Sequence, residues 1–119
     1  SLHCPSTAQT RGMLNRESLA ITKRGVLLIN VARGDLVDSA ALTEALQSGH
    51  ISAAALDVFA PEPIPVDHPI LKMDNVIVAS HIASCSVPAV RKLRETAANL
   101  AAMAVGGKPL PNVVNGVAQ

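Results

Sequence analysis

Three short apolar runs punctuate this chain, and each is followed, near the start of the next loop, by an ionisable residue. The runs are Val26-Leu27-Leu28-Ile29-Asn30-Val31-Ala32, the segment Ile51 to Val58, and Val76-Ile77-Val78-Ala79-Ser80. Each has the length of a strand, and continuous apolar character suits a strand buried on both faces of a sheet. Strands that alternate with helices of about 10 residues or more require right-handed crossovers, and therefore a parallel sheet. The ionisable residues are Arg33 after the first run, Glu62 shortly after the second and His81 after the third. Parallel strands bring all three to the carboxyl edge, where open α/β sheets bind ligands. A cation, a carboxylate and a histidine gathered there make an acid–base site for an anionic substrate.

The intervening segments carry their own punctuation. Ser1 to Cys4 reads as the tail of a strand ended by Pro5, and Ser6 to Arg11 as a loop. Asn15 can cap a short helix, Arg16 to Thr22, by accepting from a free N–H of its first turn. Asp38 or Ser39 caps a second helix ending near Ser48, with Leu42, Ala45 and Leu46 at helical spacing and Gly49 as its left-handed stop. The stretch Phe59 to Asn75 holds four of the eight prolines, which makes it stiff, and loops of that length are usually functional. Ser84 or Ser86 caps a long helix, Val87 to Val105, with Pro88 tolerated in its first turn and Gly106-Gly107 ending it. The remainder, Lys108 to Gln119, has no periodic signal. With about four strands, the sheet exposes an edge that another segment would cover. The fold class expected is α/β: the second half of a doubly wound, Rossmann-type parallel sheet with flanking helices, lacking the Gly-rich first βαβ unit.

Composition narrows the function. The chain has 119 residues, 49% hydrophobic and 16% charged, with a formal charge of +1, so it reads as one globular unit. No basic stripe interleaves with aromatic residues, so nucleic-acid binding has no support. No apolar stretch approaches the ~20 residues needed to span a bilayer, and no signal peptide opens the chain. Cys4 and Cys85 do not make a disulfide framework; they read as reduced thiols of a cytoplasmic protein. His3, His50 and His68 lack metal-ligand spacing. Trp and Tyr are absent and Phe59 stands alone among aromatics, so the core has to be aliphatic. The chain opens on Ser1 without an initiator Met, which suggests a fragment or partial reading frame.

The finer pattern points to a family. Leu2-His3-Cys4-Pro5 with Thr10-Arg11-Gly12-Met13 forms one block, and Asn30-Val31-Ala32-Arg33-Gly34-Asp35-Leu36-Val37-Asp38 a second. Ala54-Ala55-Leu56-Asp57-Val58-Phe59 with Glu62-Pro63 forms a third, and Asp74-Asn75-Val76 with His81-Ile82-Ala83-Ser84 a fourth. In this order the blocks resemble the D-isomer-specific 2-hydroxyacid dehydrogenases, and they cover nearly the whole chain. The resemblance implies an oxidoreductase that moves a hydride between a nicotinamide and a small 2-hydroxy or 2-keto acid. It implies that Arg33 grips the substrate carboxylate, a task that suits the planar guanidinium fork. It implies that His81 is the general acid, and in reverse the base, with Glu62 the carboxylate that favours its imidazolium form and holds its ring.

The same resemblance places Cys4, Val31, Ala32, Arg33, Asp57, His81 and Ala83 around the nicotinamide and its ribose, with Asp57 taking the carboxamide. Ala83 stands where glycine is most common, although some hydroxypyruvate-reductase-like members also carry Ala-Ser. The cofactor is NAD or NADP. No Gly-x-Gly-x-x-Gly is present, nor the residue that would choose between the two, and the pyrophosphate cradle is missing with them. Residues 1–107 are then a partial NAD(P)-binding Rossmann domain, and residues 108–119 a tail returning toward a substrate domain. Family members are usually homodimers through the cofactor domain.

Without the resemblance each residue has a plainer reading. Arg33 is a solvated turn residue, Glu62 a loop charge, His81 a satisfied histidine, Asp57 a cap for nearby backbone donors and Cys4 a packing residue. Other readings follow from the same residues: a non-catalytic binding module, a truncated product without activity, or a hydrolase whose His81/Glu62 pair activates a water. Arg91, Lys92 and Arg94 read as a wet helix face or a subunit contact.

Because most of a dinucleotide's contacts lie outside these motifs, the isolated chain is expected to bind NADH and NADPH weakly and to reduce 2-keto acids little, if at all. Titration followed by fluorescence checks this; saturable binding with a robust rate would overturn it.

Overall fold

The structure is a computed structural model and describes residues 1–114; the end of the expected tail, residues 115–119, lies outside the described residues. The chain divides into two compact units, Ser1–Ala83 and Ser84–Gln119.

The first unit is built on three parallel strands in the order β1-β2-β3: β1 Val26–Asn30, β2 Ile51–Leu56 and β3 Val76–Val78. Leu28 faces Ala54 and Asn30 faces Leu56 across the first pair, and Leu56 faces Val78 across the second. Leu2 adds an isolated parallel bridge to Asn30, its N–H donating to the Ile29 carbonyl at 2.9 Å. The expected fourth strand is thus a single pairing position.

Helix α1, Arg16–Ala20, starts at a reciprocal cap. The Asn15 side chain accepts from the Ser18 N–H at 3.0 Å, and the Ser18 hydroxyl accepts from the Asn15 N–H at 2.9 Å, so two otherwise orphaned donors are satisfied. Helix α2, Ser39–Gln47, is the β1–β2 crossover. Its cap is Asp38, whose Oδ1 accepts from the N–H groups of Ala40 and Ala41, both at 3.0 Å. Gly49 follows in the left-handed region at φ +66°, a conformation free of Cβ conflict only for glycine. Arg16 and Glu44 tie α1 to α2 in an exposed ion pair.

The core is aliphatic: Leu19, Leu28, Leu42, Leu46, Ile51, Leu56 and Ile70 are its large members. Burying each such side chain contributes roughly 1.5–3 kcal/mol. All of it lies on one side of the sheet. The opposite face leaves Leu27, Ile29 and Ile77 at 64%, 41% and 72% exposed. The expectation of a first strand buried on both faces therefore fails here, because the elements of this unit cover only the face of Leu28 and Asn30.

Each strand stops earlier than its apolar run. At β1 the cause is Asn30, whose buried side chain accepts from the Ala32 N–H at 3.1 Å and donates to the Arg33 carbonyl at 2.9 Å. These bonds curl the backbone into a turn instead of extending the ladder. The next residues approach the loop after β2 so closely that a Cβ on Gly34 would sit 2.0 Å from the Phe59 carbonyl carbon.

In the second unit, α3 spans Val87–Val105. The Ser86 hydroxyl caps it through the Ala89 N–H at 3.3 Å, and Arg91 pairs with Glu95 one turn on at 2.7 Å. Among the described residues no helix is long and apolar enough to cross a membrane.

Gly34→Ala should destabilise the first unit toward the upper end of the about 1–3 kcal/mol usual for overpacking, because backbone rather than a flexible side chain blocks the methyl. A urea denaturation midpoint equal to that of the parent chain would contradict the packing described.

Candidate active site

The carboxyl edge of the sheet is organised by Asp57, the residue after β2. It is buried, and its two oxygens take two consecutive backbone donors: Oδ1 accepts from the Ile82 N–H at 2.8 Å and Oδ2 from the Ala83 N–H at 2.9 Å. Bonds to an ionised acceptor are the stronger kind. The Ala83 N–H holds the Asp57 carboxyl below the usual carboxylate range; burial opposes this, and the Ile82 N–H and nearby His81 add to it.

His81 is the residue just before these two donors, and it has φ +58°. Left-handed backbone is uncommon outside glycine, although histidine is among the residues enriched there. Such a conformation costs of order 1–3 kcal/mol and persists only where the surroundings over-determine it. Asp57 supplies that constraint by gripping the two residues that follow.

The reversed backbone brings His81 Nδ1 to 2.9 Å from Glu62 Oε2. Glu62 is fixed from its other side as well, Oε1 accepting from the Phe59 N–H at 2.7 Å. The His81 contact, followed by the Phe59 N–H, holds the Glu62 carboxyl below its usual range, with burial and the neighbouring Asp57 acting the other way. A carboxylate only accepts, so Nδ1 donates. Nε2 has no hydrogen-bond partner among the described residues, which leaves it as the atom able to exchange a proton with a ligand. Both side chains remain partly open, 48% exposed for His81 and 38% for Glu62, and together with Asp57, Phe59 and Ile82 they line an open groove.

The other expected site residues are placed as follows. Arg33 is exposed at the end of the Asn30 turn, with Nη1 donating to the Ala32 carbonyl at 2.6 Å. It shares the sheet edge with His81 but no hydrogen bond or ion pair joins it to His81 or Glu62 among the described residues. Val31 is part-exposed and Ala32 is buried. Cys4 is half-buried with its Sγ 3.8 Å from the Met13 sulfur. Ala83 is exposed, its N–H spent on Asp57. Asp57 itself acts as the backbone cap that its plain reading foresaw, and each oxygen keeps a lone pair. Asn30 and the Phe59 N–H were not foreseen as parts of the site. The signal for Asn30 was an amide closing an apolar run, a polar group that has to find backbone partners once buried. No local signal exists for Phe59. Among the described residues no group of three or more His, Cys, Asp or Glu could hold a metal ion.

Residues 1–83 match the family described as D-isomer specific 2-hydroxyacid dehydrogenase, NAD binding domain. The chain is 47% identical over 116 residues to a glyoxylate reductase of Thermofilum pendens, covering 97% of this chain and 34% of that protein. It is 41% identical over 115 residues to a D-3-phosphoglycerate dehydrogenase of Mycobacterium leprae, covering 97% of this chain and 22% of the other. A D-isomer specific 2-hydroxyacid dehydrogenase from Xanthobacter autotrophicus, crystallised with NADPH and MES, superposes with a TM-score of 0.81 at 46% identity. That match covers 95% of this chain and 46% of the crystallised one. The chain therefore spans only a minor part of the length of these relatives.

The Asp57 carboxyl titrates lower in the folded chain than the ~3.9 of an unfolded aspartate, so its stabilisation is complete above that value and is lost as pH falls through it toward the folded pKa. Asp57→Asn should lower the melting temperature at pH 6, and the gap between variant and parent should close as the pH is taken from about 5 toward 2. A gap that stays constant over that range, followed by circular dichroism, would refute the carboxylate clamp.

Proposed function

This chain belongs to the D-isomer specific 2-hydroxyacid dehydrogenase family, and from that membership we propose that its sheet edge forms one side of an NAD(P)-dependent site for reduction of a small 2-keto acid and oxidation of the matching 2-hydroxy acid. The observation that carries this reading is the hydrogen-bonded series Asp57, His81 loop, Glu62, with His81 Nδ1 held and Nε2 free.

His81 donates a proton from Nε2 to the carbonyl oxygen during reduction and receives it from the hydroxyl during oxidation. Glu62 accepts from the Nδ1–H of His81 and so orients the ring. Arg33, with most of its guanidinium donors free of acceptors among the described residues, takes the substrate carboxylate in a two-pronged contact and polarises the reacting carbonyl. Asp57 keeps the His81 backbone in the conformation that aims the ring at Glu62.

The residues present fit the nicotinamide end of the cofactor. Val31 and Ala83 expose small apolar surface at this edge, Cys4, Ala32, Arg33 and His81 lie in the same set, and the remaining Asp57 lone pairs suit a carboxamide N–H. When bound, the nicotinamide supplies or removes the hydride. Nothing in the sequence matches a pyrophosphate cradle, so these residues do not choose between NAD and NADP. The named relatives act on glyoxylate and 3-phosphoglycerate; hydroxypyruvate is of the same class. Pairing as a homodimer would cover apolar surface such as the exposed sheet face.

The test is a chimera in which these residues replace their counterpart in the Thermofilum pendens glyoxylate reductase. The chimera should reduce glyoxylate with a nicotinamide cofactor. His81→Ala should lower kcat by about 100- to 10,000-fold, Glu62→Gln by less, and Arg33→Ala should both raise KM for the keto acid and lower kcat. A His81→Ala chimera as fast as its parent would refute the assignment.

A further inference from the structure

Glu62 reaches His81 from a long loop that leaves β2 at Asp57 and rejoins the sheet at Val76, so something has to hold that loop in register. Its far half contains a 3-10 turn, Pro69–Lys72, whose Ile70 is buried in the core. The residue before the turn is His68. Its Nδ1 accepts from the Ile70 N–H at 3.3 Å, capping the turn, and its Nε2 lies 2.8 Å from the hydroxyl oxygen of Ser39, the first residue of α2.

The tautomer follows from these contacts. A backbone N–H can only donate, so Nδ1 is unprotonated, the ring proton sits on Nε2, and the Ser39 oxygen accepts it. This is the reverse of what a serine nucleophile would need, since there the hydroxyl has to give its proton to the ring. The pair is therefore a tether. One neutral imidazole joins the loop to the helix that crosses from β1 to β2, and a cap at the end of that loop to a buried core residue. Phe59, at the loop's other end, is held by its close approach to Gly34. Glu62 lies between the two attachments.

We propose that His68, anchored on Ser39, is a positioning residue for the His81–Glu62 pair: it sets the path of the Glu62 loop and so keeps the carboxylate on His81 Nδ1. The proposal rests on the acid–base reading of that pair. Asparagine offers a discriminating replacement, because its Oδ1 can stand where Nδ1 stands and accept from the Ile70 N–H, while it cannot reach Ser39 as Nε2 does.

The experiment is nuclear magnetic resonance on the 119-residue chain, following the His81 Nδ1 proton and hydrogen exchange at the Phe59 amide, which Glu62 also accepts. Glu62→Ala, which removes both acceptor oxygens, defines the signature of a broken pair. His68→Ala should reproduce that signature, with the Nδ1 proton lost to exchange and the Phe59 amide exchanging at least tenfold faster, while core amides such as those of Leu42 and Leu56 keep their protection. His68→Asn, which keeps the cap but loses the Ser39 contact, and Ser39→Ala should each shift the signature partway. Should His68→Ala fail to fold, Ser39→Ala and His68→Asn carry the test. His81 and Phe59 signals unchanged in His68→Ala, or in both milder variants, would overturn the tether and leave the acid–base reading standing. A Glu62→Ala spectrum identical to that of the parent would overturn both.

Discussion

Two hydrogen bonds from consecutive backbone N–H groups to one buried carboxylate organise the working edge of this chain. Asp57 ends the central strand, and Ile82 and Ala83 follow the last strand, so the bonds close the space between neighbouring strand ends. They also fix His81, the one non-glycine residue with positive φ among the described residues. Without them His81 would relax toward a right-handed or extended conformation, its ring would leave Glu62, and the carboxylate would keep only its bond to the Phe59 N–H. The geometry of the ionisable pair thus depends on main-chain groups that belong to neither member of it.

The other contacts at this edge act by the same principle, a side chain or a missing side chain disciplining the backbone of a neighbouring loop. Asn30 turns the chain after β1 and presents Arg33; Gly34 lets the loop after β2 come into van der Waals contact; His68 fastens the far half of that loop. Polar groups buried in pairs cost little, and left unpaired they cost the full desolvation of each. That asymmetry adds to the apolar anchors Val58 and Ile70 in making these loops specific in shape, and it lets a small aliphatic core support a site that lies almost wholly in connections.

Much of this architecture was legible in the sequence. The three apolar runs, the alternation with helical segments and the parallel order follow from patterning alone, and Asn15 and Gly49 mark helix boundaries because capping is a local interaction, whereas Ser84 and Ser86 could each cap α3. Asp38 against Ser39 was ambiguous, since both residues can cap. Strand ends were misjudged where a tertiary bond stops a ladder that the apolar run would have continued, as at Asn30. The chemistry was legible unequally. Arg33 and His81 stand at strand ends and could be suspected from position, whereas nothing local joins Glu62 to His81 or Asp57 to Ile82 and Ala83, residues far apart in the chain. Strand order alone brings Glu62 and His81 to one edge and the family resemblance pairs them, while Asp57 is legible as a cap for backbone donors but not for which ones. His68 was passed over because it was weighed as a metal ligand, and its partners Ser39 and Ile70 become visible only in three dimensions.

The left-handed backbone at His81 carries one more consequence. Glycine would occupy that conformation without strain, and asparagine with less than most residues. A designer selecting for thermal robustness alone would therefore be drawn to replace the very residue assigned the proton transfer. At position 81 durability and reactivity pull against each other, and any stabilised version of this chain has to find its gains elsewhere, on surfaces where the chemistry has no stake.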